Sequence, residues 1–305
     1  MENHGQKRSA HEQEDILDGV QAVLLDVEGT TTPLMFVQEK LFPYIKTNAK
    51  TYLNSHYGED ECRGDIEELR KQAEADKEAS VEGVISIPQV ADDNKEAVVD
   101  ATVKNVTWQM EKDLKTKALK QLQSHMWREA YKTGLLQGEI YDDVPAALKE
   151  WSSEGKRIYT YSLDNVEGQK LLFGYSDKGN LLELFSGYFD ATAGAKTEKD
   201  SYIHIVGEIN VKSEKVLYIT DLPTEAKAAS DAGLKTVVVV REGNTQLSDD
   251  DKQCFFTVTS FEELCSDDSH KAKRVEGEHK GAKHEEASQV DGTKEAVHAG
   301  EEAAD

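Results

Sequence analysis

A chain of 305 residues with a net charge of −23 makes nucleic acid and anionic membrane poor default partners. Its hydrophobic fraction of 38% is low enough to imply polar segments outside a packed core. Cys62, Cys254 and Cys265 are widely spaced with no C-x-x-C pair, which argues against a disulfide framework or zinc site and for a reducing compartment. No apolar run approaches the ~20 residues of a membrane span, and residues 1–18 lack the apolar core of a signal peptide. A soluble, cytoplasmic protein is the expectation.

Residues 1–19 read as a disordered arm. The apolar run Ala22–Leu25 reads as a buried strand. It ends in Asp26, Val27, Glu28, Gly29 and three threonines, Thr30, Thr31 and Thr32. After Pro33, residues 34–57, 62–74 and 97–131 carry apolar side chains at helical spacing, the last stretch as one long helix closed by Gly134 and Gly138. Strands are then predicted at 157–161, 188–190, 215–219 and 236–240. Between and around them come helices at 145–151, 166–173, 201–208 and 224–232. This alternation predicts an α/β fold, a parallel sheet with helices on both faces. Its core comprises 20–32 and 139–265. The all-helical stretch 33–138 is expected to sit over the strand ends as a cap that can exclude water. Residues 266–305 hold no aromatic residue and 11 acidic against 6 basic residues, too little apolar surface to fold. Four histidines fall there (His270, His279, His284 and His298) and read as solvated tail rather than metal ligands.

Four predicted strand ends and turns carry chemistry. Asp26 and Glu28 lie two apart, so on an extended backbone they point the same way. Carboxylates at the end of a parallel strand sit where open α/β sheets bind ligands. Such a pair can hold a divalent cation, Mg²⁺ when the substrate carries phosphate. It can also act as nucleophile and proton shuttle, or be no more than an acidic turn. Ser162 ends the second strand ahead of a helix, fit for a phosphate oxygen or for an N-cap. Lys196, in a turn after Gly194, can neutralise a phosphoryl group or lie solvated. Asp221, with Glu225 four residues on, can complete a metal site with Asp26 or cap a helix.

Their order resembles the four-motif signature of the haloacid dehalogenase (HAD) superfamily. Longer stretches resemble the enolase-phosphatase family within it, over about residues 20–264. These are residues 26–33, Leu41-Phe42-Pro43-Tyr44, Leu69-Arg70-Lys71-Gln72-Ala73-Glu74, Ala118-Leu119-Lys120-Gln121-Leu122-Gln123, His125-Met126-Trp127-Arg128 and Gln169-Lys170-Leu171-Leu172-Phe173-Gly174. The resemblance implies a HAD-like Rossmannoid core with an inserted helical cap. It also implies a Mg²⁺-dependent phosphatase of methionine salvage, one Mg²⁺ per subunit. Its substrate would be 5-methylthio-2,3-dioxopentyl phosphate, enolised and then dephosphorylated to the acireductone 1,2-dihydroxy-5-methylthiopent-1-en-3-one. Carried over, Asp26 is the nucleophile and Glu28 the general acid/base. The metal is held by Asp26, by Glu28 through its side chain or, as in many relatives, its backbone carbonyl, and by Asp221. Ser162, the Leu163 amide and Lys196 bind substrate. A monomer in cytoplasm and nucleus is implied, and the charge and apolar pattern above argue for no nucleic-acid or membrane partner.

The chain departs from the family at the second motif. The family reads Tyr-Ser-Ser-Gly-Ser where this chain has Tyr161, Ser162, Leu163, Asp164 and Asn165. Leu163 has no hydroxyl, and Asp164 adds a charge. At ~6 Å from a phosphate charge and an effective dielectric near ~20, repulsion is roughly 3 kcal/mol. Gln137 stands where the family has a lysine near the end of the cap. Two alternatives therefore stay open, a HAD phosphatase of shifted substrate and a non-catalytic binding protein on the same fold. Trp108, His125 and Trp127 are expected to pack the cap, with His125 alternatively serving enolisation.

Overall fold

A computed structural model of the chain describes residues 16–265. The expected tail at 266–305 and the first fifteen residues of the expected arm lie outside the described residues. Residues 16–19 form a turn, tied down by Lys235, whose ammonium donates to the carbonyls of Ile16 (3.0 Å) and Asp18 (2.6 Å).

Six strands form one parallel sheet in the order β3-β2-β1-β4-β5-β6. They are β1 Ala22–Leu25, β2 Arg157–Tyr161, β3 Gly187–Phe189, β4 Val216–Thr220, β5 Lys235–Val239 and β6 Phe256–Val258. β1 and β4 are buried along their whole length. Covered on both faces, such strands carry apolar runs rather than alternation. The chain reverses its direction of travel across the sheet between β1 and β4. In a sheet of this order, that switch point opens the crevice in which ligands bind. Leu25 pairs with Thr160 on one side and Ile219 on the other. The residues following all three strands therefore emerge together at the carboxyl edge.

Helices α6 Val144–Ser153, α7 Val166–Gly174, α8 Lys199–Ile209, α9 Pro223–Asp231 and α10 Asp249–Cys254 alternate with the strands. One face packs Leu24, Tyr161, Tyr202, Ile205, Tyr218 and Ala229 into a common cluster. The ring pairs Tyr161/Tyr202 and Tyr202/Tyr218 meet edge to face at 5.7 and 5.1 Å, a geometry worth about 0.5–1.5 kcal/mol each beyond area burial.

Between β1 and α6 the chain is mostly helical, as expected: α1 Leu34–Phe36, α2 Phe42–His56, α3 Asp60–Glu78, α4 Lys95–Glu111 and α5 Lys117–Lys132, with a non-helical stretch at 79–91. α1 runs into α2 through a wide π-type turn at Val37–Leu41, where the Phe42 amide reaches back to the Val37 carbonyl. Pro43, next in line, has no N–H to continue a regular ladder, and the wide turn absorbs the defect. The single helix expected at 97–131 is two. Asp113 takes a left-handed φ of 53°, which aspartate tolerates better than most residues. The Thr116 hydroxyl then caps α5 by accepting from the Leu119 amide at 3.2 Å. No Gly or Pro marks this break, so apolar periodicity ran through it. α10 and β6 were not expected, although Ser248 and Asp251 form a capping box readable from their spacing. Among the described residues, no helix is long and apolar enough to cross a membrane.

Candidate active site

The turn after β1 is built by its own residues. Gly29 has φ +80°, and its amide donates to the Thr32 carbonyl at 2.8 Å. The amides of Thr31 and Thr32 both reach the Val27 carbonyl. A side chain at 29 is excluded twice over: a Cβ there would stand 2.6 Å from Asp221 Oδ2. The Thr32 hydroxyl donates to the Glu139 carbonyl, so the two ends of the helical insert meet beside this turn.

Asp26 is buried at 3% exposure. Its Oδ1 accepts from the Val27 amide (2.7 Å) and from the ammonium of Lys196. Its Oδ2 accepts from the hydroxyls of Thr30 (3.0 Å) and Thr220 (3.5 Å). Lys196 is equally buried and also pairs with Glu225 at 2.8 Å. Burial works against its charge, yet Asp26 and Glu225 together raise its pKa above the ordinary value. The tyrosine cluster fixes this arrangement from below. The Tyr202 hydroxyl donates to the Lys196 carbonyl (2.7 Å), that of Tyr161 to the Gly194 carbonyl (2.9 Å), and that of Tyr218 to Glu225 (2.7 Å).

Asp221 follows β4 directly. Its Oδ2 accepts from the Asn244 side chain at 2.9 Å, and that same amide nitrogen donates to the Gly29 carbonyl at 2.8 Å. Its Oδ1 is buried without a hydrogen-bond partner among the described residues. Burial, and then Asp26 beside it, push the Asp221 carboxyl up to about 8. Two carboxylates so placed repel unless a proton or a cation lies between them, and an orphaned carboxylate oxygen is a ready ligand for a hard cation. The residues present thus fit Mg²⁺. Among the described residues, no three His, Cys, Asp or Glu side chains converge on one point, so a full set would draw on backbone oxygen as well.

Glu28 stands further out, toward the insert. Burial, then Asp164, push its carboxyl up to about 7, with Lys120 acting the other way. It shares a narrow cleft with Ser162, which is 2% exposed and accepts from the Asp164 amide at 3.0 Å. Asn165 caps α7 by accepting from the Gly168 amide at 2.8 Å. Leu163 is 39% exposed, so its side chain adds nothing to this cleft. The Asp164 charge does not stand alone: the Lys120 ammonium, from α5, pairs with it.

The structure therefore gathers Asp26, Glu28, Ser162, Lys196 and Asp221 at one sheet edge. It leaves others apart. Gln137 is exposed in a separate open groove beside Lys40, Asp142 and Lys178. His125 pairs with Asp65 at 2.6 Å within the insert. Trp108 packs near Gly83, as expected of a packing residue, whereas Trp127, 2% exposed and donating to the Leu41 carbonyl, also lines the cleft of Glu28 and Ser162. Sequence reasoning missed the parts played by Glu225, Thr30, Thr220, Asn244 and Lys120. Only the four-residue spacing of Asp221 and Glu225 signalled any of them.

A buried carboxylate, lysine and second carboxylate at the switch point of a parallel sheet, under a helical insert, define a hydrolase of the HAD type. A model of the haloacid dehalogenase-like hydrolases matches residues 20–233. The enolase-phosphatase E1 of Danio rerio is 46% identical over 250 residues, 82% of this chain and 96% of that protein. That of Xenopus tropicalis is 48% identical over 246 residues, 80% of this chain and 94% of that protein. The crystal structure of the UTR4 protein of Saccharomyces cerevisiae superposes with a TM-score of 0.63 at 29% identity, covering 80% of this chain and 99% of that one. The chain belongs to the haloacid dehalogenase-like hydrolases and, within them, to the enolase-phosphatase E1 family.

Proposed function

We propose that this chain converts 5-methylthio-2,3-dioxopentyl phosphate to the acireductone and phosphate, through an aspartyl phosphate on Asp26. The observation that carries this reading is the Asp26 carboxylate, buried at the end of β1 against both Lys196 and Asp221. Asp26 attacks phosphorus, and the ester P–O bond breaks to release the enolised product. Water then attacks the aspartyl phosphate and frees inorganic phosphate. Lys196 and the Ser162 hydroxyl hold phosphoryl oxygens, with the Leu163 amide beside them. Glu28, poised near neutrality, gives or takes the protons that these steps need. Asp26, Asp221 and Glu28, the last through side chain or carbonyl, would hold one Mg²⁺. When bound, that ion offsets charge on the phosphoryl group and polarises a neighbouring carbonyl.

In this reading residues 33–138 are a cap over a core of 20–32 and 139–265. The protein acts as a monomer in cytoplasm and nucleus, on a small phosphate ester, without nucleic-acid or membrane partners. The test is chemical trapping. Enzyme quenched during turnover and reduced with borohydride is expected to carry homoserine at position 26 by mass spectrometry. Turnover with an unmodified Asp26 in every quenched sample contradicts the mechanism.

A further inference from the structure

Two of the second-motif positions that depart from the family pattern, Asp164 and Asn165, both touch the helical insert. Lys120, Ser124 and Arg128 follow at four-residue steps along α5 and so share one face. Lys120 pairs with Asp164, the Ser124 hydroxyl donates to Asn165 Oδ1 at 2.8 Å, and Arg128 pairs with Glu167. The side chains of Lys120 and Asp164 are only 8% and 16% exposed, so this is a largely desolvated ion pair. It lies over the site: Asp164 lines the same cleft as Glu28, Ser162, Leu41 and Trp127. That cleft has a volume of about 10 Å³, room for about one water. The Lys120/Asp164 pair thus ties α5 to the start of α7 over this cleft.

We propose that Asp164 is a latch and an affinity-setting residue, which holds the cap down as the counterion of Lys120 until a phosphate ester takes its place. On this account Asp164 weakens phosphate binding by competing for the Lys120 ammonium, not by repelling phosphate through space. The inference rests on reading the site as one for phosphate esters. Where a glycine stood at 164, Lys120 would meet the ligand unopposed.

The test is a double-variant cycle read by binding, with Mg²⁺ present and inorganic phosphate as the probe. Calorimetry would compare the full-length protein with Asp164→Asn, Lys120→Met and the double variant, and Asp164→Gly would serve where Asp164→Asn folds poorly. Asp164→Asn is expected to tighten phosphate binding about tenfold, in the range of coupling between groups in contact. In the Lys120→Met background the gain should vanish. Amide hydrogen exchange across residues 117–132 should also speed up in Asp164→Asn, because the latch is gone. Unchanged phosphate affinity, unchanged exchange, or an equal gain in the Lys120→Met background each overturns the latch. Neither readout needs turnover. An intact cycle with no acireductone formed would therefore sink the functional reading and leave the latch standing.

Discussion

Lys196 and Asp26 lie 170 residues apart in sequence and form a buried ion pair at the carboxyl edge of the sheet. Glu225 shares the same ammonium, so one cation serves two carboxylates with a third, Asp221, alongside. Removing one partner of such a pair leaves an uncompensated buried charge.

Replacement of Lys196 by Met should therefore destabilise the fold by about 3–5 kcal/mol as well as abolish phosphate release. Urea unfolding of Lys196→Met measures the loss. The double variant Lys196→Met, Glu225→Gln should regain part of that stability and none of the activity. Wild-type stability in Lys196→Met would show that the three carboxylates do not need this ammonium.

Asn244 holds Asp221 in place. Its amide spans Asp221 and the Gly29 carbonyl. Groups that orient a metal-binding carboxylate typically matter by about 10–100-fold in metal affinity. Asn244→Ala should raise the Mg²⁺ concentration for half-maximal activity by about that factor, with kcat at saturating Mg²⁺ affected less. Gly29→Ala should do more damage, since its Cβ meets Asp221 and its φ is left-handed. A Mg²⁺ titration of all three proteins checks both statements.

On α5 of the helical insert, His125 faces Asp65 and Glu61 from α3, Glu167 from α7 and Arg128 from its own helix. The hydrogen bond to Asp65, opposed by burial, raises its pKa above the ordinary value. A histidine with a raised folded pKa contributes stability that is fully present below its unfolded pKa of about 6.5. That contribution is lost as pH rises through the folded pKa. Thermal unfolding of the wild type should thus decline over this window, and His125→Gln should flatten the decline. Parallel curves for the two proteins would remove His125 from the account.

Five of the six strands were legible in the sequence because they are short apolar runs between polar turns; β6 was not. Ala22–Leu25 and Arg157–Tyr161 were bounded correctly from that contrast alone. The break at Asp113 was not legible, because the capping Thr116 sits inside continuous apolar spacing. Within the candidate site, Asp26, Glu28, Ser162, Lys196 and Asp221 were singled out because each ends a strand or opens a turn and because their order resembles the HAD signature. Asn244 was invisible: it reaches Asp221 only through the parallel pairing of β4 with β5. Lys120 hid within an ordinary helical pattern, yet it answers the concern raised by Asp164. The charge expected to repel substrate has a partner in α5.

The central claim is that this chain both enolises and dephosphorylates one diketone phosphate. The most direct measurement follows both products from 5-methylthio-2,3-dioxopentyl phosphate with Mg²⁺, acireductone by ultraviolet absorbance and phosphate by release. Both products should appear in equal amounts, and Asp26→Asn should stop phosphate release. Phosphate released only from other esters, or full activity in Asp26→Asn, would contradict that claim.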